Sequence, residues 1–287
     1  MFTISAFADE ISPDPGEQVA VLKACNVRHI EFRSIHKTNV LALTDEQIRN
    51  FKTLLDGEGF ALSAIGSPIG KVAIDSPFEP HLEKLKRAIE LCKTFGTPNI
   101  RVFSYYPPGN DPNFDPKNWP AHRDEVIRRM RAMAEVAATN GVVLFHENEH
   151  RIYGDSPARV ADILSTVNHP ALRAAYDAAN YVYGNFDPIE GWESTKVFTS
   201  HFHIKDWKRD WRSTGTGAEN GVIPGTGDGH IAYSIKAAVA MGYQGFATME
   251  PHLRGGGPTG GVTGPDLFPL AVEAFRGILR SCAAKEA

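Results

Sequence analysis

Short apolar runs alternate with longer amphipathic segments along the chain. The apolar runs have the length of strands and favour β-branched and aromatic residues, whereas the amphipathic segments repeat apolar residues at helical spacing. This pattern predicts eight strands, at Phe2–Phe7, His29–Phe32, Ala61–Ile65, Asn99–Phe103, Val142–Glu147, Leu172–Asp177, His201–Lys205 and Gly245–Glu250. It also predicts eight helices, at Glu17–Cys25, Asp45–Leu55, His81–Phe95, Arg123–Thr139, from Ser156, from Asp187, at about Ile231–Met241 and at Leu267–Ala284.

Eight strands that alternate with eight helices imply a parallel sheet with right-handed crossovers. We therefore predict an α/β fold, a (β/α)8 TIM barrel, as a single domain over residues 1–287. The alternative, an open doubly wound sheet, lacks its expected glycine-rich turn after the first strand. Long loops follow the strands, which predicts an elaborated C-terminal face of the barrel where active sites lie. Examples of these loops are residues 67–80, 105–120, 206–229 and 251–264.

Composition and charge narrow the classes of function. The chain is 42% hydrophobic and 22% charged, as is usual for a globular protein, and its net charge of −4 argues against nucleic-acid binding. No apolar run approaches the ~18–20 residues of a membrane helix, and the N-terminus lacks the basic region of a signal peptide. The three cysteines fit neither a disulfide framework nor a zinc knuckle. We therefore expect a cytoplasmic protein.

Metal-ligating residue types end the last four predicted strands, at Glu147, Asp177, His203 and Glu250. Adjacent strands lie ~4.8 Å apart, so four consecutive C-terminal ends can meet at one ion. Three carboxylates and one imidazole suit Mn²⁺, Mg²⁺ or Co²⁺, with Zn²⁺ as a further option. Each residue alone has a structural alternative, such as Asp177 capping the next turn. Their matching positions on consecutive strands favour one divalent metal ion.

Three basic residues are expected at the mouth of the barrel. Lys205 follows His203 by two residues, Lys71 lies in the loop after the third strand, and Arg33 follows the second strand. A solvated surface role is the alternative for each of them. Beside a metal, they are candidates to bind the oxygens of a hydroxylated or anionic substrate.

Two further polar residues share a strand face with the expected ligands. Glu149 lies two residues beyond Glu147, where it either contacts substrate or bonds the 150–154 loop. His201 precedes His203 by two residues and is expected to be buried and hydrogen-bonded.

Two glycine-rich stretches have both a functional and a plain interpretation. Residues 224–229 are either a phosphate cradle before a helix or an ordinary turn. Residues 251–264 are either a mobile lid or only a connection.

Seven short segments spread over nearly the whole chain carry a recognisable combination of residues. They are Phe7-Ala8-Asp9-Glu10-Ile11-Ser12, Ile30-Glu31-Phe32-Arg33, Ser67-Pro68-Ile69-Gly70-Lys71, His146-Glu147-Asn148-Glu149, Asp177-Ala178-Ala179-Asn180, His203-Ile204-Lys205-Asp206 and Glu250-Pro251-His252-Leu253. Together they resemble the sugar phosphate isomerase/epimerase superfamily, the xylose-isomerase-like barrels. The resemblance implies that Glu147, Asp177, His203 and Glu250 bind the metal ion. In the ketose 3-epimerases of this superfamily two metal-bound glutamates also move the proton, and these match Glu147 and Glu250.

The chain departs from those epimerases at two places. Asn180 stands where they have a histidine, and the continuation Lys205-Asp206 differs. Asn180 is kept as a substrate-binding candidate. Because the superfamily also contains dehydratases and apurinic-site endonucleases, the resemblance does not decide the reaction.

The leading hypothesis is a metal-dependent isomerase or epimerase of a sugar or sugar derivative. Glu147 and Glu250 would abstract and return a proton next to a metal-chelated carbonyl. The alternatives are a sugar-acid dehydratase at the same metal site, a metal-dependent endonuclease or phosphoesterase, and a barrel that binds without catalysis. The expected partner is a small sugar-like molecule, with no nucleic acid and no membrane. The oligomeric state is left open between a monomer and a homo-oligomer.

Overall fold

Eight parallel strands close into a barrel in the computed structural model of the chain, which describes residues 1–209, 221–257 and 260–287. The strands β1 to β8 are Phe2–Ala6, His29–Phe32, Ala61–Ile65, Asn99–Val102, Val143–Glu147, Leu172–Asp177, Thr199–Ile204 and Gly245–Met249. Each strand pairs with its neighbours in sequence, and β8 closes the ring against β1. The predicted (β/α)8 barrel is confirmed.

Helices connect the strands on the outside of the barrel. In the described residues α1 to α9 are Pro15–Ala24, Asp45–Glu58, Glu79–Phe95, Arg123–Thr139, Pro157–Val167, Ala178–Tyr183, Pro188–Thr195, Ile231–Ala240 and Phe268–Ser281. The predicted capping box at Thr44 and Gln47 is present. Helix α1 begins two residues earlier than predicted, because the Asp14 carboxylate accepts the amide N–H of Glu17. Helix α6 was not predicted as a separate element. None of the helices in the described part is long and apolar enough to cross a membrane.

Side chains along each strand point alternately to the helix layer and to the barrel interior. On β7, Phe202 stacks on Trp192 at 5.5 Å between ring centroids, in the layer between barrel and helices. His201 and His203 point the opposite way, to the barrel interior, where both reach Glu31 of β2. Because side chains alternate between the two faces of a strand, one strand supplies both the apolar core and the polar interior.

The glycine-rich stretch 224–229 binds a carboxylate of the protein itself. The backbone N–H groups of Gly225 and Gly227 donate to Asp206 Oδ2 at 2.8 and 2.9 Å, and that of Gly229 donates to Oδ1 at 2.9 Å. The interpretation as a phosphate cradle is therefore wrong, because these amides already have an anionic partner. Asp206 thereby anchors the loop after β7 directly beside Lys205.

The second glycine-rich stretch contains regular structure. Gly255–Gly257 pairs in antiparallel fashion with Gly260–Val262, and residues 258–259 lie outside the described residues, as do residues 210–220 of the loop after β7. The backbone N–H of Thr263 donates to Glu10 O at 2.9 Å, which ties the end of this loop to the first turn after β1. Its function as a lid stays a prediction.

The loop that carries Lys71 is held by close packing at Gly70. This glycine has φ +94°, and a Cβ built on it would lie 2.0 Å from the carbonyl oxygen of Phe103. We expect Gly70→Ala to lower the free energy of unfolding by more than about 2 kcal/mol, since the backbone must move. Gly57→Ala is the control, because a Cβ there meets nothing within 4 Å. Urea unfolding of both variants measures the difference, and equal stabilities would contradict the prediction.

The same loop depends on a neutral histidine. His81 Nε2 accepts the backbone N–H of Gly70 at 2.7 Å. Burial, together with the charges of Lys84 and Arg129, lowers the pKa of His81 to about 4. The unfolded chain takes up this proton near pH 6.5. Folding is therefore favoured above about pH 6.5, and this contribution is lost as the pH falls toward 4.

We expect His81→Gln to reduce that pH dependence by up to about 3 kcal/mol, because glutamine keeps an acceptor oxygen and does not titrate. Urea unfolding of wild type and variant at pH 7 and pH 4.5 measures it. The carboxylates titrate alike in both proteins. The contribution of His81 is therefore the difference between the two proteins in how steeply the free energy of unfolding changes with pH. Parallel slopes would exclude a contribution from His81.

Candidate metal centre

Four side chains from consecutive strands meet at the C-terminal end of the barrel. Glu147 and Asp177 end β5 and β6, His203 lies near the end of β7, and Glu250 directly follows β8. One ligand atom of each lies within 4.8 Å of the others, and all four side chains are buried. His203 Nδ1 is 3.0 Å from Glu147 Oε1 and 3.8 Å from Glu250 Oε2. The structure thus brings together the four residues that the strand pattern grouped.

The separations between these atoms fit a shared divalent ion. Two ligands at right angles on a six-coordinate ion, each 2.1 Å from it, lie ~3.0 Å apart, and opposite ligands lie ~4.2 Å apart. His203 Nδ1 is buried and makes no hydrogen bond, although Glu147 Oε1 is 3.0 Å away. A separation of 3.0 Å between an imidazole nitrogen and a carboxylate oxygen is also the separation of two ligands at right angles on one ion. The donor set of three carboxylates and one imidazole could hold such an ion.

Asp177 caps a helix and also faces the cluster. Its Oδ1 accepts the backbone N–H of Asn180 at 3.0 Å, which starts helix α6 directly after β6. Its Oδ2 lies 2.8 Å from Lys205 Nζ. One oxygen therefore caps a helix while the other faces the cluster.

Glu147 is oriented by two nitrogen donors. Arg101 Nη1 of β4 lies 3.2 Å from Oε2, and Asn180 Nδ2 donates to Oε1 at 3.2 Å. Burial raises the pKa of Glu147, but the charges of His203 and Arg101 outweigh it and lower the pKa to about 2. Glu147 is therefore ionised at neutral pH.

Glu250 is oriented from the other side of the cluster. Arg33 Nη1 donates to Oε1 at 2.7 Å, and Lys205 Nζ lies 3.4 Å from Oε2. Burial raises the pKa of Glu250, yet the charges of Lys205, His252 and Arg33 lower it well below its usual range. Both glutamates are therefore carboxylates held by separate cations.

One aromatic ring separates the two arginines. The guanidinium carbons of Arg33 and Arg101 lie 4.5 and 4.7 Å from the ring centroid of Phe7. Cations over an aromatic face are attracted by its quadrupole. Phe7 thus packs against the arginine of each glutamate.

Lys205 is a fully buried cation among the ligands. Its side chain is 0% exposed, and its Nζ lies between Asp177 and Glu250. Burial would lower the pKa of Lys205, but the two carboxylates raise it well above the usual range. Burial raises the pKa of Asp177 to about 6 against the opposing charge of Lys205. Lys205 therefore supplies positive charge that the cluster needs.

Lys71 and Glu149 pair with each other beside the cluster. Lys71 Nζ lies 2.9 Å from Glu149 Oε2, and Glu149 Oε1 accepts the backbone N–H of His150 at 2.7 Å. Glu149 is buried, and its two oxygens contact the Lys71 side chain and the start of the following loop. Of the two interpretations of Glu149, the structure shows the bond to the 150–154 loop.

Several charged residues that support the site had no role assigned to them from the sequence. Arg101 and Glu31 each interrupt an apolar strand, in Ile100-Arg101-Val102 and Ile30-Glu31-Phe32. A charged residue within a buried strand needs a partner, and this signal could have identified both. Glu10 and His252 lie in segments that carry the family resemblance, but neither interrupts a buried strand. Glu10 Oε2 accepts the backbone N–H of His252 at 2.9 Å across 242 residues of sequence.

Comparison with known sequences identifies one family model. The model described as a xylose isomerase-like TIM barrel matches residues 19–276. The chain is also 23% identical over 135 residues to 3-dehydroshikimate dehydratase of Bacillus anthracis. The matched segment covers 47% of this chain and 46% of that protein. This match thus spans about half the length of the curated relative.

Solved structures with the same fold cover nearly the whole chain. The probable 3-DHS dehydratase AsbF of Bacillus anthracis has a TM-score of 0.73 at 18% identity, covering 96% of this chain and 99% of that one. A xylose isomerase-like TIM barrel protein of Mycobacterium smegmatis in complex with magnesium has a TM-score of 0.73 at 22% identity. The match covers 99% of this chain and 97% of that one. A D-tagatose 3-epimerase-like protein has a TM-score of 0.74 at 14% identity, and the match covers 98% of each chain. At these identities the similarity establishes the fold.

Proposed function

Because the chain belongs to the xylose isomerase-like TIM barrel family, we propose that it is a metal-dependent isomerase or epimerase of a sugar or sugar derivative. Glu147, Asp177, His203 and Glu250 would hold one divalent ion. Mg²⁺ or Mn²⁺ fits this oxygen-rich donor set best, with Co²⁺ and Zn²⁺ as further options. When bound, the ion would polarise a carbonyl and make the adjacent C–H more acidic.

The observation that carries this proposal is the pair of separately anchored glutamates. Glu147 is held by Arg101 and Asn180, whereas Glu250 is held by Arg33 and Lys205. They lie on β5 and just after β8, three strands apart around the barrel. Two ionised carboxylates that approach from different sides suit removal of a proton by one and its return by the other. Return to the same carbon inverts its configuration, and return to the neighbouring carbon gives the isomer.

The remaining polar groups would bind the substrate. Lys205 is the strongest candidate, since its Nζ already lies in the cluster. Lys71, paired with Glu149, would contact more distant hydroxyl groups. Asn180 and Arg33 would act on substrate oxygens while holding the glutamates.

A sugar-acid dehydratase is the second candidate, favoured by Lys205 and by the dehydratase among the relatives. Lys205 Nζ is a buried donor 3.4 Å from Glu250 Oε2. A protonated amine near the base can give its proton to a departing hydroxyl group. Such a reaction removes the same C–H proton but ends with loss of water.

Solvent exchange tests the proposed function. The chelator-treated protein, reloaded with Mg²⁺ or Mn²⁺, is incubated in D₂O with a panel of ketoses, aldoses and keto-sugar acids. Metal-dependent entry of one carbon-bound deuterium without loss of water supports the isomerase or epimerase. Product that has lost one water supports the dehydratase. Activity that is equal with and without metal would contradict both the isomerase or epimerase and the dehydratase.

A further inference from the structure

Glu31 lies inside the barrel but outside the set of four proposed ligands. It belongs to β2, and its carboxylate crosses the barrel interior to β7, three strands away around the ring. There Oε2 lies 2.7 Å from His201 Nε2 and 3.3 Å from His203 Nε2. The side chain is 1% exposed. A buried carboxylate in such a place has a large desolvation cost, which invites a functional explanation.

The two ring nitrogens of His203 face different surroundings. Nδ1 faces the ligand carboxylates Glu147 and Glu250 and makes no hydrogen bond. Nε2 faces Glu31. A neutral imidazole carries its hydrogen on one nitrogen and its free lone pair on the other. With a metal ion on Nδ1, the one hydrogen of the neutral ring lies on Nε2, where the Glu31 carboxylate can accept it.

We propose that Glu31 is a positioning residue that holds His203 as the Nε2–H tautomer and directs the Nδ1 lone pair at the metal ion. The inference rests on the proposed function, since it requires the metal site. A carboxylate behind a metal-bound histidine fixes the ring and raises its basicity as a ligand. The four-residue cluster therefore depends on a fifth residue from the opposite side of the barrel.

A direct role of Glu31 as a ligand fits the distances less well. Glu31, His201 and His203 could also form a three-residue group around an ion. Ligand atoms at right angles on one ion lie ~3.0 Å apart or more. The 2.7 Å between Glu31 Oε2 and His201 Nε2 is instead a hydrogen-bond distance.

His201 provides a matched control within the same layer. Its Nε2 contacts both Glu31 Oε2 and Thr248 Oγ1, the latter at 2.9 Å. Thr248→Val removes a buried hydrogen bond to His201 at nearly constant volume and leaves Glu31 in place. A general disturbance of the barrel interior would lower metal affinity in Thr248→Val as well as in the Glu31 variants. Loss of the His203 partner would lower it only in the Glu31 variants.

The test measures Mn²⁺ binding to the full chain by calorimetry, with Glu31→Leu, Glu31→Gln, Thr248→Val and Asp177→Asn. We expect Glu31→Leu to weaken binding roughly 10–100-fold. We expect Glu31→Gln to weaken it less, because the amide oxygen still accepts, and Thr248→Val to leave it unchanged. Nitrogen chemical shifts at a fixed Mg²⁺ concentration should show hydrogen on His203 Nε2 in wild type, and the population in this state should fall in Glu31→Leu. Circular dichroism verifies that each variant is folded.

Three results would overturn the inference. Unchanged Mn²⁺ affinity in folded Glu31→Leu, with Asp177→Asn impaired, leaves the proposed metal site intact but excludes a role for Glu31. Loss of all binding in Glu31→Gln, matching Asp177→Asn, makes Glu31 a ligand. A wild-type protein that binds neither Mn²⁺ nor Mg²⁺ overturns the proposed function together with this inference.

Discussion

Glu147→Gln should lower turnover by about 10³-fold or more, because the amide can no longer accept the substrate proton. The change also removes one negative charge from the cluster and leaves Arg101 without its carboxylate partner. Metal affinity should therefore fall as well. Turnover is measured with the substrate that the deuterium-exchange panel identifies, at a metal concentration that saturates the variant, so that the loss of the base is separated from the loss of the ligand.

Glu135→Gln is the matched control for this substitution, since Glu135 is exposed on α4, whereas Glu147 is buried at the end of β5. Its turnover and metal affinity should equal those of wild type. Solvent deuterium adds a second measurement: exchange through Glu147 should stop in Glu147→Gln even when metal is bound, so that only exchange through Glu250 remains. A metal-saturated Glu147→Gln enzyme with normal turnover would refute the assignment of Glu147 as a base.

Lys205→Met should lower the free energy of unfolding of the metal-free protein by roughly 3–5 kcal/mol, the cost of leaving buried charges without their partner. Asp177 and Glu250 both lose the ammonium that lies 2.8 and 3.4 Å away. The pKa of Asp177, raised to about 6 by burial even with Lys205 present, should rise further. Added Mn²⁺ should restore much of the lost stability, because the ion supplies the missing positive charge.

Lys52→Met is the control for the loss of an ion pair. Lys52 lies 2.7 Å from Asp56 on α2, but the pair is largely solvated, with 34% and 61% of the side chains exposed. We expect a change below about 0.5 kcal/mol there, with or without metal. Urea unfolding in chelator and in Mn²⁺ compares the two variants. If Lys205→Met is as stable as wild type in chelator, Lys205 does not balance the charge of the cluster.

The proposed ligand residues could be read from the sequence because parallel strands present their C-terminal ends at one face. Glu147, Asp177, His203 and Glu250 each follow an apolar run, and the barrel places these ends together. Their supporting residues could not be read in the same way. Arg33, for example, follows the second strand and looked like a substrate-binding residue, yet its guanidinium donates to Glu250 217 residues away in sequence.

The pattern of apolar and polar positions by itself determined the eight strands and the approximate extent of most helices, because hydrophobic periodicity and caps are local properties. The barrel followed from the count of eight strand–helix units. It also determined which four residues end neighbouring strands. Only the tertiary structure decided how those residues are held. The contacts of Glu31 with His203, of Arg101 with Glu147 and of Asp206 with the glycines of 224–229 join segments far apart in sequence. Partner choice at such contacts depends on distance across the closed barrel, which no local pattern records.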